Sequence, residues 1–400
     1  MGAGPSKRLW LTPHLIMCIT GFSYLASSSV ATPILSIYVK EAMNAPVEII
    51  GLVTSVFFVV SAVTRIFLEF LAGGMKIISF LLLAFVILSI CPAFYPFVDS
   101  VSWLIFLRSA QGFASAFIGT ASLILAALTI PEAERDRGVG TYTASLSLGL
   151  LAGPAITTVS IPLFGVPKTF YFASLMGVIG ISSTFILYRR LSSIERDWQI
   201  TDVTVDKEPL KSKLAAIARN RMFGVSFVGN IAFFLLFGVI LAYAPLHAKE
   251  NLNFNDDFVS VLFLLYYIAT TATRFSAGRI VDKVAKPTLV AIATASAALL
   301  SLALGIFSEQ LLFAGAFAMI GAVQGILIPV SSMLVADHIQ PSRSALANSL
   351  YVMGMDVGQA VAPLMMAGVV IRYGLEYGFI VSAAVSLVAT LIIIWLKAHR

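Results

Sequence analysis

Charged side chains are scarce in this sequence. Asp, Glu, Lys and Arg make up 12% of its 400 residues, whereas hydrophobic residues make up 59%. A soluble globular protein has about 25% charged and 45–50% apolar residues, because it needs a polar surface. The composition therefore excludes a soluble globular protein and indicates one that crosses a membrane many times.

Cysteine and histidine are also scarce, and their positions exclude several kinds of site. Cys18 and Cys91 lie in apolar runs, where single cysteines behave as small core residues. The four histidines, at positions 14, 247, 338 and 399, lack the spacing of metal ligands. No arrangement for nucleophilic catalysis is present. We predict a protein that is not an enzyme and that binds no metal or other cofactor.

Long apolar runs separated by short loops dominate the chain. An α-helix needs about 20 such residues to cross a bilayer. Twelve runs qualify: 11–38, 49–72, 77–97, 101–128, 138–162, 168–188, 222–245, 258–280, 287–307, 311–336, 344–371 and 376–396. One long polar segment interrupts them. The sequence therefore predicts an all-α polytopic membrane protein with two six-helix bundles, residues 1–190 and 222–400, joined by a cytoplasmic linker at 191–221.

Basic residues lie mostly on one side of the predicted membrane. With twelve spans both termini share a side, and that side holds 21 of the 26 Lys and Arg residues. The opposite side holds Lys40, Lys168, Lys249 and Arg372, and Arg108 lies within a span. Because Lys and Arg mark the cytoplasmic side, we predict that both termini are cytoplasmic. The positive charge is then an orientation signal and does not indicate nucleic-acid binding.

The two halves share weak similarity at a constant offset. Aligning Arg65 with Arg274 gives an offset of 209 residues, and the same offset brings Pro154 onto Pro363. Similarity between two six-helix halves is typical of transporters with parallel repeats around a central substrate site.

A loop motif after the eighth span resembles that of a known family. The stretch GRIVDKVAK at 278–286 has a glycine, an aspartate four residues on and then basic residues, and it resembles the cytoplasmic loop motif of the major facilitator superfamily. The resemblance covers nearly the whole chain and implies that family's twelve-helix fold. It also implies a charge cluster that closes the cytoplasmic gate, formed by Arg65, Arg274, Gly278, Asp282, Lys283 and Lys286. The alternative is that these basic residues act only as orientation signals, and the first half has Gly73 in place of the aspartate.

The stretch RSAQGFASA at 108–116 is similar to the fourth-helix motif of the same family. At 100° per residue, one stripe of about 100° holds the polar and small residues Arg108, Gln111, Gly112, Ser115, Gly119 and Ser122. A polar stripe on a membrane helix faces protein or a water-filled cavity. The resemblance gives Arg108 a role in proton coupling. The alternative is a structural arginine that binds backbone carbonyl groups or extends outward.

Glycines precede a proline in the fifth span, GTYTASLSLGLLAGPAITT at 140–158. Their spacing resembles the fifth-helix signature of the drug:proton antiporter branch, with Thr157 and Thr158 in place of its paired glycines. Small residues let a neighbouring helix approach closely, and proline bends a helix because it lacks a backbone donor. We expect close packing in the fifth and eleventh spans at Gly140, Gly149, Gly153, Pro154, Gly354, Gly358 and Pro363.

Asp356 is the one acidic residue that the sequence places near the middle of a span. A charged side chain there costs at least about 2.5–3.5 kcal/mol, and burial favours the neutral form of a carboxyl group. We expect Asp356 to carry a proton or to pair with a cationic substrate, with Glu69 as a second candidate. The alternative is a structural hydrogen bond to Gln359 or to a neighbouring helix.

By resemblance, the first, fourth, seventh and tenth spans line the substrate cavity. The candidates on these spans are Tyr24, Ser27, Arg108, Gln111, Ser115, Asn230, Phe234, Phe237, Gln324 and Ser331. A cavity with aromatic walls and few polar groups suits lipophilic compounds better than sugars.

Together these features predict a secondary transporter that works by alternating access. The resemblance favours efflux of drugs or other hydrophobic molecules, driven by the proton gradient. The alternatives are an uptake symporter or facilitator for a small organic solute, and a non-transporting membrane sensor or scaffold. We expect a monomer in a prokaryotic plasma membrane whose partners are a small-molecule substrate, protons and the lipid bilayer.

Overall fold

The computed structural model describes residues 6–71, 77–130, 134–192 and 209–398. Within these ranges it leaves out the side chains of residues 6–11, 66–71, 127–128, 135–137, 191–192, 341 and 345. The described residues form helices joined by turns and short extended segments, and none of them lies in a β-strand.

Seven helices occupy the first half of the chain. They are α1 (Ser6–Ala31), α2 (Leu35–Ala42), α3 (Val47–Leu71), α4 (Ile77–Phe94), α5 (Val101–Leu128), α6 (Arg135–Phe164) and α7 (Val166–Ser192), with a short 3-10 turn at Tyr95–Phe97 after α4. The second half contains α8 (Leu210–Arg219), α9 (Arg221–Glu250), α10 (Asp256–Val281), α11 (Lys286–Ile306), α12 (Gln310–His338), α13 (Pro341–Tyr373) and α14 (Leu375–Ala398).

Twelve helical segments among the described residues are long and apolar enough to cross a membrane. This confirms the predicted number of spans and the all-α fold class. Large apolar side chains point outward from these helices, as lipid-facing residues do: Trp103 is 62% exposed, and Leu299 is 70% exposed. The cytoplasmic location of the termini stays a prediction.

The first span is broken, whereas the sequence predicted one helix over 11–38. Helix α1 ends at Ala31, the chain turns at residues 32–34, and α2 begins at Leu35. Pro33 lies in this turn. It has no backbone N–H and disfavours the helical conformation of the residue before it, so the helix ends here and restarts after the turn.

The predicted linker contains a helix that the sequence analysis treated as polar loop. Helix α8 covers ten residues of the 191–221 segment, while residues 193–208 lie outside the described part of the chain. Its Ile217 is 1% exposed and packs in a cluster that includes Phe223 and Tyr351. Three large apolar residues within a basic segment of ten residues gave too short a periodic signal to predict this helix.

The helices form two compact units. The first comprises Met1–Thr32 and Val63–Val205, and the second comprises Pro33–Ala62 and Asp206–Arg400. Helix α2 belongs with the second unit because it bonds to α9 there: Ser36 Oγ donates to the carbonyl oxygen of Leu241 at 3.0 Å, and Lys249 forms an ion pair with Glu41. The domain boundaries at 190 and 222 stay a prediction.

Candidate functional site

The polar stripe of α5 lies on the buried side of that helix. Gln111 and Ser115 are each 4% exposed and Ser122 is fully buried, whereas Trp103 and Phe106 on another face are 62% and 60% exposed. Helix α5 therefore turns its polar face to the interior of the first unit and its aromatic face outward.

Arg108 is held at the N-terminal end of this stripe. Its Nη1 donates to Gln111 Oε1 at 3.2 Å, and the hydroxyl group of Tyr95 donates to the same oxygen. The arginine is 8% exposed. The guanidinium group is therefore buried in the first unit, where it bonds to Gln111. Its role in proton coupling stays a prediction.

A second arginine meets the same stripe further along α5. Arg65 Nη1 donates to Thr120 Oγ1 at 3.3 Å, and Tyr24 shares a 2.7 Å hydrogen bond with Ser115 Oγ. A methyl group at Gly119 would lie 3.5 Å from both Arg65 Nη2 and the Tyr24 hydroxyl oxygen. The guanidinium group and the phenol therefore both lie beside Gly119, at ordinary van der Waals distance. We call Arg65, Tyr24, Ser115 and Thr120 the arginine cluster.

Other hydroxyl groups of the first unit bond between helices. Ser27, a predicted cavity residue, donates to the carbonyl oxygen of Ala173 in α7 at 2.7 Å. Ser122 accepts a 2.6 Å hydrogen bond from Tyr142 of α6. The geometry therefore places Ser27 at the contact of α1 with α7.

The carboxyl group of Asp356 lies between α13 and α3 in the second unit. Ser61 Oγ donates to its Oδ2 at 2.8 Å, and the two residues are 1% and 7% exposed respectively. Asp356 stands 14 residues after Ser342 and 17 before Tyr373, the ends of its candidate span. The amide of Gln359 donates to the carbonyl oxygen of Met355 at 3.2 Å.

Aromatic rings of α9 form a buried group in the second unit. Phe234 and Phe237 are each 5% exposed, and their ring centroids are 6.0 Å apart in an edge-on arrangement. Phe237 also stacks on Tyr266 of α10 at 5.4 Å. Next to them on α9, Asn230 donates to the carbonyl oxygen of Tyr351 at 2.9 Å. The α9 side chains named here are therefore apolar except for the amide group of Asn230.

The α12 candidates Gln324 and Ser331 are 5% and 0% exposed. Thr270 of α10 lies 3.4 Å from Gln324 Oε1, and Ser226 of α9 donates to the carbonyl oxygen of Ser331 at 3.1 Å. Both residues therefore lie at helix contacts inside the second unit.

The predicted gate motif is partly paired. Lys286 forms an ion pair with Asp337 near the end of α12, whereas Asp282 and Lys283 are exposed. No heavy atom among the described residues lies within 4 Å of a methyl group built at Gly278. Lys286 of the predicted gate therefore pairs with a residue that the motif did not name.

The structure describes only part of the remaining candidates for the gate and for proton coupling. Arg274 runs beside α12, where a methyl group at Gly325 would lie 3.1 Å from the arginine backbone nitrogen. The side chain of Glu69 and the whole of Gly73 lie outside the described residues. The coupling role of Glu69 stays a prediction.

Glycines of α6 hold this helix against α1. A methyl group at Gly153 would lie 2.6 Å from the backbone nitrogen of Val30, and one at Gly149 would lie 3.1 Å from that of Ala26. Thr157, one turn after Gly153, donates to the carbonyl oxygen of Val30 at 2.9 Å. By contrast, a methyl group at Gly140 would have no described heavy atom within 4 Å, because this residue lies on the exposed side of the helix.

Helix α13 repeats this arrangement against α9. A methyl group at Gly358 would lie 3.0 Å from backbone atoms of Ile231, Phe234 and Leu235, and one at Gly354 would lie 2.8 Å from the ring of Phe227. The carbonyl oxygen of Pro363 accepts a 2.7 Å hydrogen bond from Tyr243. Pro154 and Pro363, aligned by the repeat, both lie inside continuous helices.

Sequence reasoning missed three polar partners, Tyr95, Ser61 and Thr120. A lone serine or threonine in an apolar helix often bonds to its own backbone, so Ser61 carried no signal of its own. Thr120 directly follows Gly119 of the predicted stripe, and a search for hydroxyl groups flanking this glycine would have found it. Among the described residues, no three His, Cys, Asp or Glu side chains are grouped to hold a metal ion.

Comparisons with known proteins identify one family over most of the chain. A family model described as Major Facilitator Superfamily matches residues 17–246 and 225–400. The chain is 26% identical to the Staphyloferrin B transporter of Staphylococcus aureus over 287 residues, 70% of this chain and 67% of that protein. It is 22% identical to the Multidrug resistance protein MdtG of Dickeya zeae over 385 residues, 94% and 91% of the two chains. The crystal structure of the nucleoside transporter NupG is similar in fold, with a TM-score of 0.77 at 13% identity and 96% and 99% coverage.

Proposed function

Because the chain belongs to the major facilitator superfamily, we propose that it is a proton-coupled secondary transporter that exports drugs or other hydrophobic small molecules. The observation that carries this proposal is the buried carboxyl group of Asp356, near the middle of its span, with the hydroxyl group of Ser61 at 2.8 Å. A buried ionisable group in a membrane helix is costly, and a transported proton gives a reason for its presence.

The pair of Asp356 and Ser61 suits a group that changes its protonation state. A serine hydroxyl donates to a carboxylate and accepts from a carboxylic acid, so Ser61 can satisfy both forms of the side chain. In alternating access, Asp356 would bind a proton while open to one side and release it while open to the other. The contact joins α13 to α3, so a change at the carboxyl group acts on the packing of two helices.

The aromatic group of α9 and α10 supports a hydrophobic substrate. Phe234, Phe237 and Tyr266 offer ring faces and edges with few polar groups beside them, as sites for lipophilic compounds do. The relative MdtG is named as a multidrug resistance protein, which supports efflux as the direction.

The arginine cluster favours a second candidate function, uptake of a small polar organic solute. Arg65, Tyr24 and Thr120 bring a positive charge and two hydroxyl groups together beside Gly119. A guanidinium group binds carboxylates and phosphates through parallel N–H donors. A solute with such an anionic group fits this cluster better than a lipophilic cation does.

Transport in liposomes tests both candidates. Purified protein would be reconstituted with a pH-sensitive dye inside, and a panel of lipophilic cations, neutral amphiphiles and small carboxylates would be added under a pH gradient. We expect lipophilic compounds to trigger proton flux in the wild type and none in Asp356→Asn, which keeps the size of the side chain. Asp99→Asn, at an exposed position outside the spans, is the matched control and should behave as the wild type.

The outcomes separate the two functions. Flux that survives Asp356→Asn would contradict the proton role of this residue. Flux triggered only by small carboxylates, and lost in Arg65→Gln, would replace efflux of hydrophobic compounds with transport of a polar solute.

A further inference from the structure

Helix α8 is fixed to the second unit at its C-terminal end. Ile217 is 1% exposed in the cluster with Phe223 and Tyr351. Asn220, directly after α8, accepts hydrogen bonds from the backbone nitrogens of Met222 and Phe223 at 3.0 Å and donates to the carbonyl oxygen of His338 at 2.8 Å. These bonds set the point where α8 joins the membrane-spanning helix α9.

The apolar face of α8 continues beyond its buried end. At 100° per residue, Leu210, Leu214 and Ile217 share an arc of about 60°, yet Leu210 and Leu214 are 43% and 37% exposed. Lys211 and Lys213 fall on the two sides of this arc. Two leucines flanked by two lysines is the pattern of a helix that lies in a membrane interface, with apolar side chains among acyl chains and ammonium groups at the phosphates.

The charge and position of the segment favour the membrane as its partner. Residues 209–221 contain four basic residues and no acidic residue, and each basic residue near an anionic membrane surface contributes about 1 kcal/mol. Arg221 begins a candidate span, and Leu214 precedes it by seven residues, about 10 Å along a helix. We propose that α8 lies on the membrane surface, with Leu210 and Leu214 inserted and Lys211 and Lys213 bound to anionic phospholipid headgroups.

This surface is independent of the transport proposal, because it involves neither Asp356 nor the arginine cluster. If α8 binds the membrane in this way, the lipid composition controls how firmly the segment between the two halves of the chain is attached to the membrane surface. An amphipathic helix of this kind responds to the anionic lipid content of the leaflet that it contacts.

Site-directed fluorescence on the full chain tests the proposal. In a background with Cys18→Ala and Cys91→Ala, the environment-sensitive dye NBD would be attached to Leu214→Cys, and to Ser212→Cys as the control on the opposite face. The protein would be placed in nanodiscs of phosphatidylcholine alone, in nanodiscs with 30% phosphatidylglycerol, and in detergent. Iodide quenching measures how far water reaches the dye.

We expect the dye at position 214 to be protected from iodide in the anionic nanodiscs and the dye at 212 to stay accessible. Lys211→Gln with Lys213→Gln should lower the docking equilibrium up to about 30-fold, the product of two contributions of about 1 kcal/mol. Hydrogen–deuterium exchange of α8 in the unlabelled wild type, slower in anionic than in zwitterionic nanodiscs, gives the same readout without the cysteine changes.

Three results would overturn the proposal. Equal quenching at 212 and 214 in every lipid would place α8 in water. Protection of position 212 as strong as that of position 214 would place the whole helix against protein. Protection that is the same in zwitterionic and anionic nanodiscs, and unchanged by the two glutamines, would remove the headgroup contact.

Discussion

Replacing Gly153 by alanine should destabilise the packing of α6 on α1. The added methyl group would lie 2.5 Å from the carbonyl carbon of Ser29 and 2.6 Å from the backbone nitrogen of Val30. Over-packing of a well-packed core costs about 1–3 kcal/mol. We expect about 3 kcal/mol, because the opposing atoms belong to the backbone of α1 and cannot rotate away as a side chain can.

Gly140 in the same helix provides the matched control. A methyl group there would have no described heavy atom within 4 Å, so Gly140→Ala should change stability only through helix propensity, by about 1 kcal/mol or less in the stabilising direction. In domains of 150–250 residues, each kcal/mol shifts the unfolding midpoint by about 2–4 °C. We therefore expect the Gly153→Ala midpoint to fall by about 6–12 °C in detergent. Equal midpoints for the two variants would refute the packing argument.

The remaining predictions concern the second unit. Gly358→Ala should destabilise the protein less than Gly153→Ala does, because the closest backbone atoms would be 3.0 Å from the new methyl group. Thermal unfolding checks this against Gly368→Ala, where the methyl group would have no described neighbour within 4 Å. A loss of stability as large as that of Gly153→Ala would contradict this reasoning. Ser61→Ala removes a hydrogen bond to a buried carboxyl group, and a hydrogen bond contributes about 0.5–1.5 kcal/mol net. Proton-coupled flux in liposomes should therefore fall by about 2- to 10-fold, and wild-type flux would contradict the role of this contact. Lys286→Gln removes an ion pair with half-exposed Asp337 and should lower the free energy of unfolding by less than about 1 kcal/mol. A much larger fall of the midpoint of thermal unfolding would show that the ion pair stabilises the fold.

The fold could be predicted from the sequence because its signals are local. Twelve apolar runs have the length of a bilayer crossing, and the stripe from Gln111 to Ser122 follows from helical periodicity alone. The close approach at Gly149 and Gly153 also followed from spacing, because only small residues allow two helix backbones to approach so closely. The same reasoning could have predicted the break at Pro33, because proline affects the conformation of its immediate neighbours in the sequence.

The candidate site could be predicted only in part, because its contacts are distant in sequence. The hydrogen bond of Ser61 to Asp356 joins residues 295 positions apart, and no periodicity links them. The sequence singled out Asp356 because a charged side chain in a membrane is costly, but it could not predict that Ser61 is its hydrogen-bond partner. In the same way, Arg65 was assigned to a loop motif, while its contact with Thr120 depends on how α3 and α5 pack.

Proton release on substrate binding tests the coupling role of Asp356 most directly. Binding of the compound that gives the largest flux in liposomes would be measured by isothermal titration calorimetry in two buffers of different ionisation enthalpy. The difference in heat counts the protons exchanged with the buffer. We expect about one proton released per substrate bound by the wild type and none by Asp356→Asn, with binding retained, as the exchange of a proton for substrate at one carboxyl group requires. Equal proton release by the two proteins would show that the coupled proton is carried elsewhere and that Asp356 is structural.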